Sequence, residues 1–236
     1  MDSKISSLSP SMRLRTGTAI LSGAQVVDVK PVRSRLDAFS AAHRNYAKAQ
    51  RKVEEIETQL RGKQTRLVHL DSDQDDAVER LARCLVTDGE PRSNPFVNFN
   101  SQAPSTIRIL PPAEEAQAIH ALVAALQRNK NLSAATLTAA RNADKASQKV
   151  DAVVAQMNTL RDNAVRARRK RDVIAQTWDN TLSALRRGAR SASDDGAPAL
   201  YAALFNGTGR PPKKAKPAAQ PPVSPTPTPE PAPAAT

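Results

Sequence analysis

The stretch TLTAARNADKASQKVDAVVAQMNTLRDNAVRARRKRDVIAQTWDNTLSAL, residues 136–185, decides the fold of this chain. Mostly small and apolar residues recur through it in alternating steps of three and four, and neither proline nor glycine interrupts the series before Gly188. This heptad pattern predicts one long α-helix, residues 133–187, with Ser133 as its N-cap and a continuous seam for a partner helix. The seam positions are Thr136, Ala139, Ala143, Ala146, Val150, Val153, Met157, Leu160, Ala164, Ala167, Arg171, Ile174, Trp178, Thr181 and Leu185.

A second heptad series upstream predicts the partner helix, residues 32–87. One slip of three residues follows Tyr46, and such an insertion overwinds a supercoil locally. The pattern leaves open whether this helix breaks at Gly62 or near Asp71. Asp88-Gly89 is a strong stop signal. The seam positions are Val32, Leu36, Phe39, His43, Tyr46, Ala49, Val53, Ile56, Leu60, Lys63, Leu67, Leu70, Gln74, Ala77, Leu81 and Cys84.

The composition points to the same class of fold. Only 3% of the 236 residues are aromatic and 8 are glycine, whereas Ala, Leu, Arg, Lys, Glu and Gln dominate long stretches. Sheets of this size need more aromatic and β-branched residues. We therefore expect an all-α protein, an elongated antiparallel helical hairpin or coiled coil of two long helices, with one or two short accessory helices and disordered termini.

Composition shifts divide the rest of the chain. Two short apolar pieces of the N-terminal arm, residues 18–21 and 24–29, could be extended. The last segment is rich in proline and alanine and cannot bury a core. The predicted organisation is an irregular N-terminal arm at 1–31, a helical hairpin or bundle domain at 32–190 with a connector at 88–111 and a short helix at 112–129, a hinge at 191–209 with a short amphipathic helix at 199–205, and a disordered tail at 210–236.

Charge complementarity sets a register for the hairpin. If residues 88 and 131 mark its closed end, facing residues have numbers that sum to about 219. This register brings Lys145 and Lys149 beside the acidic stretch 71–76 and brings Arg141 near Glu79. It also brings Arg161 near Glu57. Opposite charges at flanking positions are typical of paired helices.

The other half of the hairpin gathers cations that no hairpin needs for its stability. A solvated face explains them as well as an anion-binding surface does. Arg171 occupies a seam position, where it either reaches back to Glu54 or Glu55 or extends its head to the surface. The candidate anion- or nucleic-acid-binding residues are Arg44, Lys48, Arg51, Lys52, Arg166, Arg168, Arg169, Lys170, Arg171, Lys213, Lys214 and Lys216.

Motifs for catalysis, metals and cofactors are absent from the sequence. There is no phosphate-binding glycine loop, no nucleophile elbow and no paired His or Cys spacing typical of zinc. The aspartates at 71–75 lack the glycine and the last glutamate of a calcium loop. Phe39, Tyr46 and Trp178 are expected near one another, as core residues rather than as a platform for bases. We therefore expect a protein that is not an enzyme, with no cofactor, no metal and no small-molecule substrate.

The function is predicted from charge and shape. The net charge of +12 favours an anionic partner. The first hypothesis is a structural or scaffolding protein that binds a protein partner, or itself, through its helix faces. The alternative is sequence-independent nucleic-acid binding, as in chromatin- or nucleoid-associated proteins, through the basic half and the tail. PPKKAKP at 211–217 resembles, in composition, the tails of histone-like and linker-histone-like proteins.

Two further expectations follow from the same observations. Binding to an anionic membrane surface is the weakest hypothesis, because no exposed Trp, Phe or Leu accompanies the cations. The N-terminal segment has no continuous apolar run, and Cys84 is the one cysteine. Both observations favour a cytoplasmic location.

Overall fold

The computed structural model describes residues 8–206, and these residues form helices and turns without any β-strand. Two long helices run antiparallel, as predicted, and the shorter helices pack on them. Two 3-10 turns lie at Lys30–Val32 and Val97–Phe99. The helices are α1 (Pro10–Gly23), α2 (Arg33–Thr87), α3 (Pro104–Ile107), α4 (Pro112–Leu126), α5 (Ala134–Asp194) and α6 (Pro198–Phe205).

Helix α5 confirms the seam. No predicted seam position of α5 is exposed, and Ser133 caps the helix by accepting a hydrogen bond from the backbone N–H of Thr136. The helix continues seven residues past the predicted end at 187. Gly188 lies inside the helix and does not stop it. Its missing side chain leaves room for the side chain of Arg35. The predicted hinge therefore shrinks to 195–197, and α6 follows at once.

Helix α2 is continuous from Arg33 to Thr87, without a break at Gly62 or near Asp71. It ends before Gly89, whose φ of 101° suits glycine. The carboxylate of Asp88 accepts a hydrogen bond of 3.0 Å from the backbone N–H of Ser133. The end of α2 and the start of α5 are thereby joined at the closed end of the hairpin.

The register agrees with the predicted sum. Lys63 Nζ donates to Gln156 Oε1 over 2.6 Å, and Trp178 Nε1 donates to His43 Nδ1 over 3.3 Å. The two sums are 219 and 221.

The ion pairs expected from this register are different in the structure. Asp75 pairs with Arg108 from the connector, and Glu57 pairs with Arg168 rather than with Arg161. Side-chain length lets a cation reach a carboxylate about two turns from its nominal partner, so register alone did not identify the pairs.

The irregular N-terminal arm is a correction, because residues 10–23 form helix α1. Ser9 caps it by accepting from the Met12 N–H, and Pro10 occupies the first turn. Two of its three buried residues, Thr16 and Gly17, are not apolar side chains. The sequence therefore lacks the apolar periodicity that would have predicted this helix. A Cβ at Gly17 would collide with the imidazole of His43, which shows how closely α1 approaches α2.

Two hydrophobic clusters lie at opposite ends of the hairpin. The open-end cluster joins α1, α2, α5 and α6 around Trp178. The closed-end cluster joins α2, α4 and α5 with Phe96 and Ile107 of the connector. The connector residue Ile109 does not join this cluster and is 80% exposed. Between the clusters, no residue of α2 from 57 to 73 is buried.

The remaining boundaries differ slightly. Helix α4 ends at Leu126 rather than at 129, and α6 begins at Pro198 rather than at 199. The predicted tail, 210–236, lies outside the described residues. Among residues 8–206, no helix has the length and apolarity needed to cross a membrane.

Candidate interaction face of the hairpin

The accessory helices pack on one row of α2 residues. Gly17 of α1 lies against His43, and α4 packs with Val78 and Leu85. His43 and Val78 are separated by five heptads and both are buried, so the slip predicted after Tyr46 does not turn Val78 away from the buried side of α2. Helices α1 and α4 therefore cover the same face of the hairpin at opposite ends.

A row of aspartates on α5 marks that same face. Arg13 of α1 forms two hydrogen bonds with the carboxylate of Asp179, at 3.1 and 2.9 Å. His120 of α4 bonds to Asp144 over 2.7 Å and to Asp151 over 3.0 Å. These three aspartates differ by whole heptads. We call this side of the hairpin, with the His43 row of α2 and the Asp144 row of α5, the covered face.

The opposite side carries two other heptad rows, and all of their members are exposed. No accessory helix within residues 8–206 packs on them. We call this side the open face. Its rows are Asn45, Lys52, Gln59, Arg66, Asp73 and Arg80 on α2, and Asn142, Lys149, Gln156, Asn163, Lys170 and Thr177 on α5.

Three grooves follow the open face between α2 and α5, with volumes of about 670, 510 and 640 Å³ from the closed end to the open end. Their floors are apolar, with Ala77 and Ala139 at the closed end, Leu160 in the middle and Ala167 at the open end. Their charged lining is one-sided, since Glu55 is the single acidic residue. The lining cations are Lys48, Arg51, Lys52, Lys63, Arg66, Arg80, Arg83 and Lys170.

Most of these cations have no ion-pair partner within residues 8–206. Lys52 pairs with Glu55 over 3.2 Å, and Arg83 pairs with Glu79. Within residues 8–206, the other six form no ion pair, although Lys63 donates to Gln156. Hydrogen bonding to Arg83 lowers the pKa of Glu79, so this pair stays ionised at neutral pH. The open face is therefore a cationic surface with an apolar floor.

The structure separates the residues of the predicted basic cluster. Four of them line the groove at the open end, namely Lys48, Arg51, Lys52 and Lys170. Three more, Arg44, Arg166 and Arg169, are exposed outside the groove lining. Arg44 donates to Ser40 Oγ over 3.1 Å. Lys213, Lys214 and Lys216 lie outside the described residues.

The remaining two residues of the cluster are held in ion pairs. Arg168 pairs with Glu57 over 2.6 Å, and Arg171 pairs with Asp172 over 2.7 Å. Arg171 also donates to Gln50 Oε1 over 3.2 Å. Arg171 forms no ion pair with Glu54 or Glu55. Its side chain is 16% exposed, and its guanidinium reaches the exposed carboxylate of Asp172.

The aromatic residues expected near one another do meet. The ring of Trp178 lies 5.5 Å from that of Phe39 and 6.2 Å from that of Tyr46, and all three are fully buried. Burial confirms the core interpretation, since a platform for bases requires an exposed ring face.

Sequence reasoning missed two titratable groups of α4 on the covered face. Burial opposes a charge on His120, but hydrogen bonds to Asp144 and Asp151 outweigh it and raise the pKa of His120 above its usual value. Glu115 is 1% exposed, and burial raises its pKa to about 7. No local motif could have shown either environment, because the partners lie on other helices.

Comparison with known proteins adds no functional information. No protein-family model matches this chain, and neither a curated protein nor a solved structure does. Among residues 8–206 there is also no group of three or more His, Cys, Asp or Glu side chains placed to hold a metal ion.

Proposed function

We propose that this protein is a non-enzymatic structural or scaffolding protein that binds another protein through the open face. One observation carries the proposal. Helices α1 and α4 pack on the covered face, whereas the open face keeps six unpaired cations and an apolar floor in contact with solvent. Exposed apolar surface bordered by charge is typical of protein interaction sites.

The shape of the molecule supports this role. Helices of 55 and 61 residues provide a rigid rod of roughly 80–90 Å. A scaffold needs extended surface rather than an enclosed cavity, whereas catalysis needs a concave site that excludes water. The three open-face grooves are open to solvent between α2 and α5. The proposed location is the cytoplasm, as the single cysteine suggests.

Sequence-independent nucleic-acid binding is the second candidate. Three arginines beside the open-end groove favour it, namely Arg44, Arg166 and Arg169. They are exposed, and none of them has a carboxylate partner among the described residues. Such residues can contact phosphates without reading bases. The binding should then weaken steeply as salt rises.

Affinity capture from native lysate, with and without nuclease, separates the two candidates. The test variant carries Lys52→Glu, Arg66→Glu and Arg80→Glu, all on the open face. A matched control carries Arg61→Glu, Arg128→Glu and Arg161→Glu, which are equally exposed but lie off the open face. Both variants change the net charge by the same amount.

Each outcome supports one of the two candidates or rejects the open face as the binding surface. Protein partners that survive nuclease, and that the test variant loses while the control keeps them, support the scaffold. Binding that nuclease abolishes supports the nucleic-acid candidate instead. If the two variants capture the same partners as the wild type, the open face is not the binding surface and the proposal is wrong.

A further inference from the structure

We propose that the open face binds the apolar side of an acidic amphipathic helix from a different polypeptide, which lies in the groove between α2 and α5 as a third helix. This inference rests on the proposed function and specifies its partner. It follows from the floor of the grooves, from the spacing of the cations and from the charges that the chain itself can offer.

The floor is suited to close helix packing. Ala77, Ala135 and Ala139 line the closed-end groove, and Ala49 and Ala167 line the open-end groove. Short side chains let a helix axis approach to about 8–10 Å. The leucine and alanine side chains of an amphipathic helix would then fill a channel that now contacts only solvent. The partner is therefore expected to be helical with one apolar stripe.

The cations are placed to meet acidic residues beside that stripe. On α2, Lys52, Arg66 and Arg80 recur every two heptads, or about 21 Å along the axis. On α5, Lys149 and Lys170 lie on the facing row. Residues that flank an apolar seam set partner choice by charge, so these positions select a helix with Glu or Asp on both sides of its stripe.

A second copy of this chain does not fit the open face through the same surface, because cations would then face cations. The segments outside the described residues do not fit either. Residues 207–236 contain ten prolines and one acidic residue, Glu230, and the only acidic residue of 1–7 is Asp2. Proline in a helix interior removes a backbone donor and clashes with the preceding turn, so the composition of the last segment is unsuited to a continuous helix. We therefore assign the occupant to another protein.

A designed peptide of four heptads tests this inference directly. The acidic probe has Leu at positions a and d and Glu at e and g. One control probe has the same composition in scrambled order, and another has Lys in place of Glu. Fluorescence anisotropy measures the binding to the full chain at ~50 mM salt, where electrostatic contacts are least screened. Circular dichroism follows the helicity of the peptide as it binds.

We expect the acidic probe to bind the wild type and to gain helicity, whereas the scrambled probe binds about tenfold more weakly or not at all. The variant with Lys52→Glu, Arg66→Glu and Arg80→Glu should lose about tenfold in affinity for the acidic probe. The same variant should gain affinity for the Lys probe. The control variant with Arg61→Glu, Arg128→Glu and Arg161→Glu should bind the acidic probe like the wild type.

Two results would overturn the inference. Equal binding of the acidic and scrambled probes, or their displacement by single-stranded DNA of equal charge, would show a site for polyanions rather than for a helix. No binding of the acidic probe to the wild type would exclude the helix directly. If capture from lysate still depends on the open face in that case, the proposed function stands and only the helical partner fails.

Discussion

Gly17 is the residue of α1 whose missing side chain leaves room for His43 of α2. Its Cα faces the ring of His43, which is buried and accepts a hydrogen bond from Trp178. Gly17→Ala should lower the free energy of unfolding by about 1–3 kcal/mol, because the added methyl group must displace a packed side chain. Thermal or denaturant unfolding measures the change.

Gly62→Ala is the matched control. A Cβ at Gly62 meets nothing within 4 Å, and the residue lies in the interior of α2. Alanine is the better helix former, so this variant should be more stable than the wild type by about 0.5–1 kcal/mol. Equal loss of stability in both variants would mean that α1 does not pack on His43.

Arg171 tests the seam of α5 at a single position. Its ion-pair partner Asp172 is 64% exposed, so removing the guanidinium leaves no buried charge unpaired. Arg171→Leu should leave the melting temperature unchanged or raise it, because apolar replacement of a seam charge is often neutral or stabilising. A marked drop in the melting temperature would show that residue 171 does not lie at the seam.

Helix α4 carries two groups whose protonation favours the docked state. Glu115 faces Asp71 and Asp75 of α2 and Arg108 of the connector, with Gln74 beside it. The pKa of His120 is raised, so its contribution is complete below the unfolded pKa of 6.5 and disappears as pH rises through the folded pKa. The pKa of Glu115 rises from 4.5 to about 7, so folding is penalised increasingly as pH rises over that range. Both groups weaken the docking of α4 at higher pH.

Glu115→Gln should remove the glutamate part of this pH dependence. We expect the variant to match the wild type near pH 4 and to be more stable by about 1–3 kcal/mol near pH 8, since one pKa unit corresponds to about 1.4 kcal/mol. Denaturant titrations at several pH values measure both proteins. A variant that is less stable than the wild type at pH 8 would mean that the carboxylate is ionised and paired in the folded protein.

At the scale of the whole molecule, the two hydrophobic clusters are separated by a stretch in which α2 buries no residue against α5. Residues 57–73 of α2 contain no buried side chain, whereas both ends carry fully buried residues such as Phe39 and Leu81. Backbone amides of this middle stretch should therefore exchange with solvent faster than those of either end. Native-state hydrogen exchange read out by mass spectrometry tests this, and uniform protection along α2 would contradict it.

Much of the architecture could be predicted because a heptad pattern encodes both the helix and the side that it buries. None of the predicted seam positions in α2 and α5 is exposed. The antiparallel register also followed, since the closed end of the hairpin limits it to a few residues. The lysines and arginines at 44–52 and 166–171 could also be singled out, because neighbours on one helix are close in sequence.

The tertiary structure alone decided which face of the hairpin is free. The rule for the seam treats its two flanks alike, so it could not show that α1 and α4 pack on one side. Helix α1 is held in place by the close approach at Gly17 and by the Arg13–Asp179 ion pair, so it needs no apolar stripe in its sequence. The two residues of the ion pair are more than a hundred positions apart in the chain. The energies of both contacts depend on packing geometry that no local pattern contains. That geometry also separated the cations of the open face from the ion-paired arginines 168 and 171.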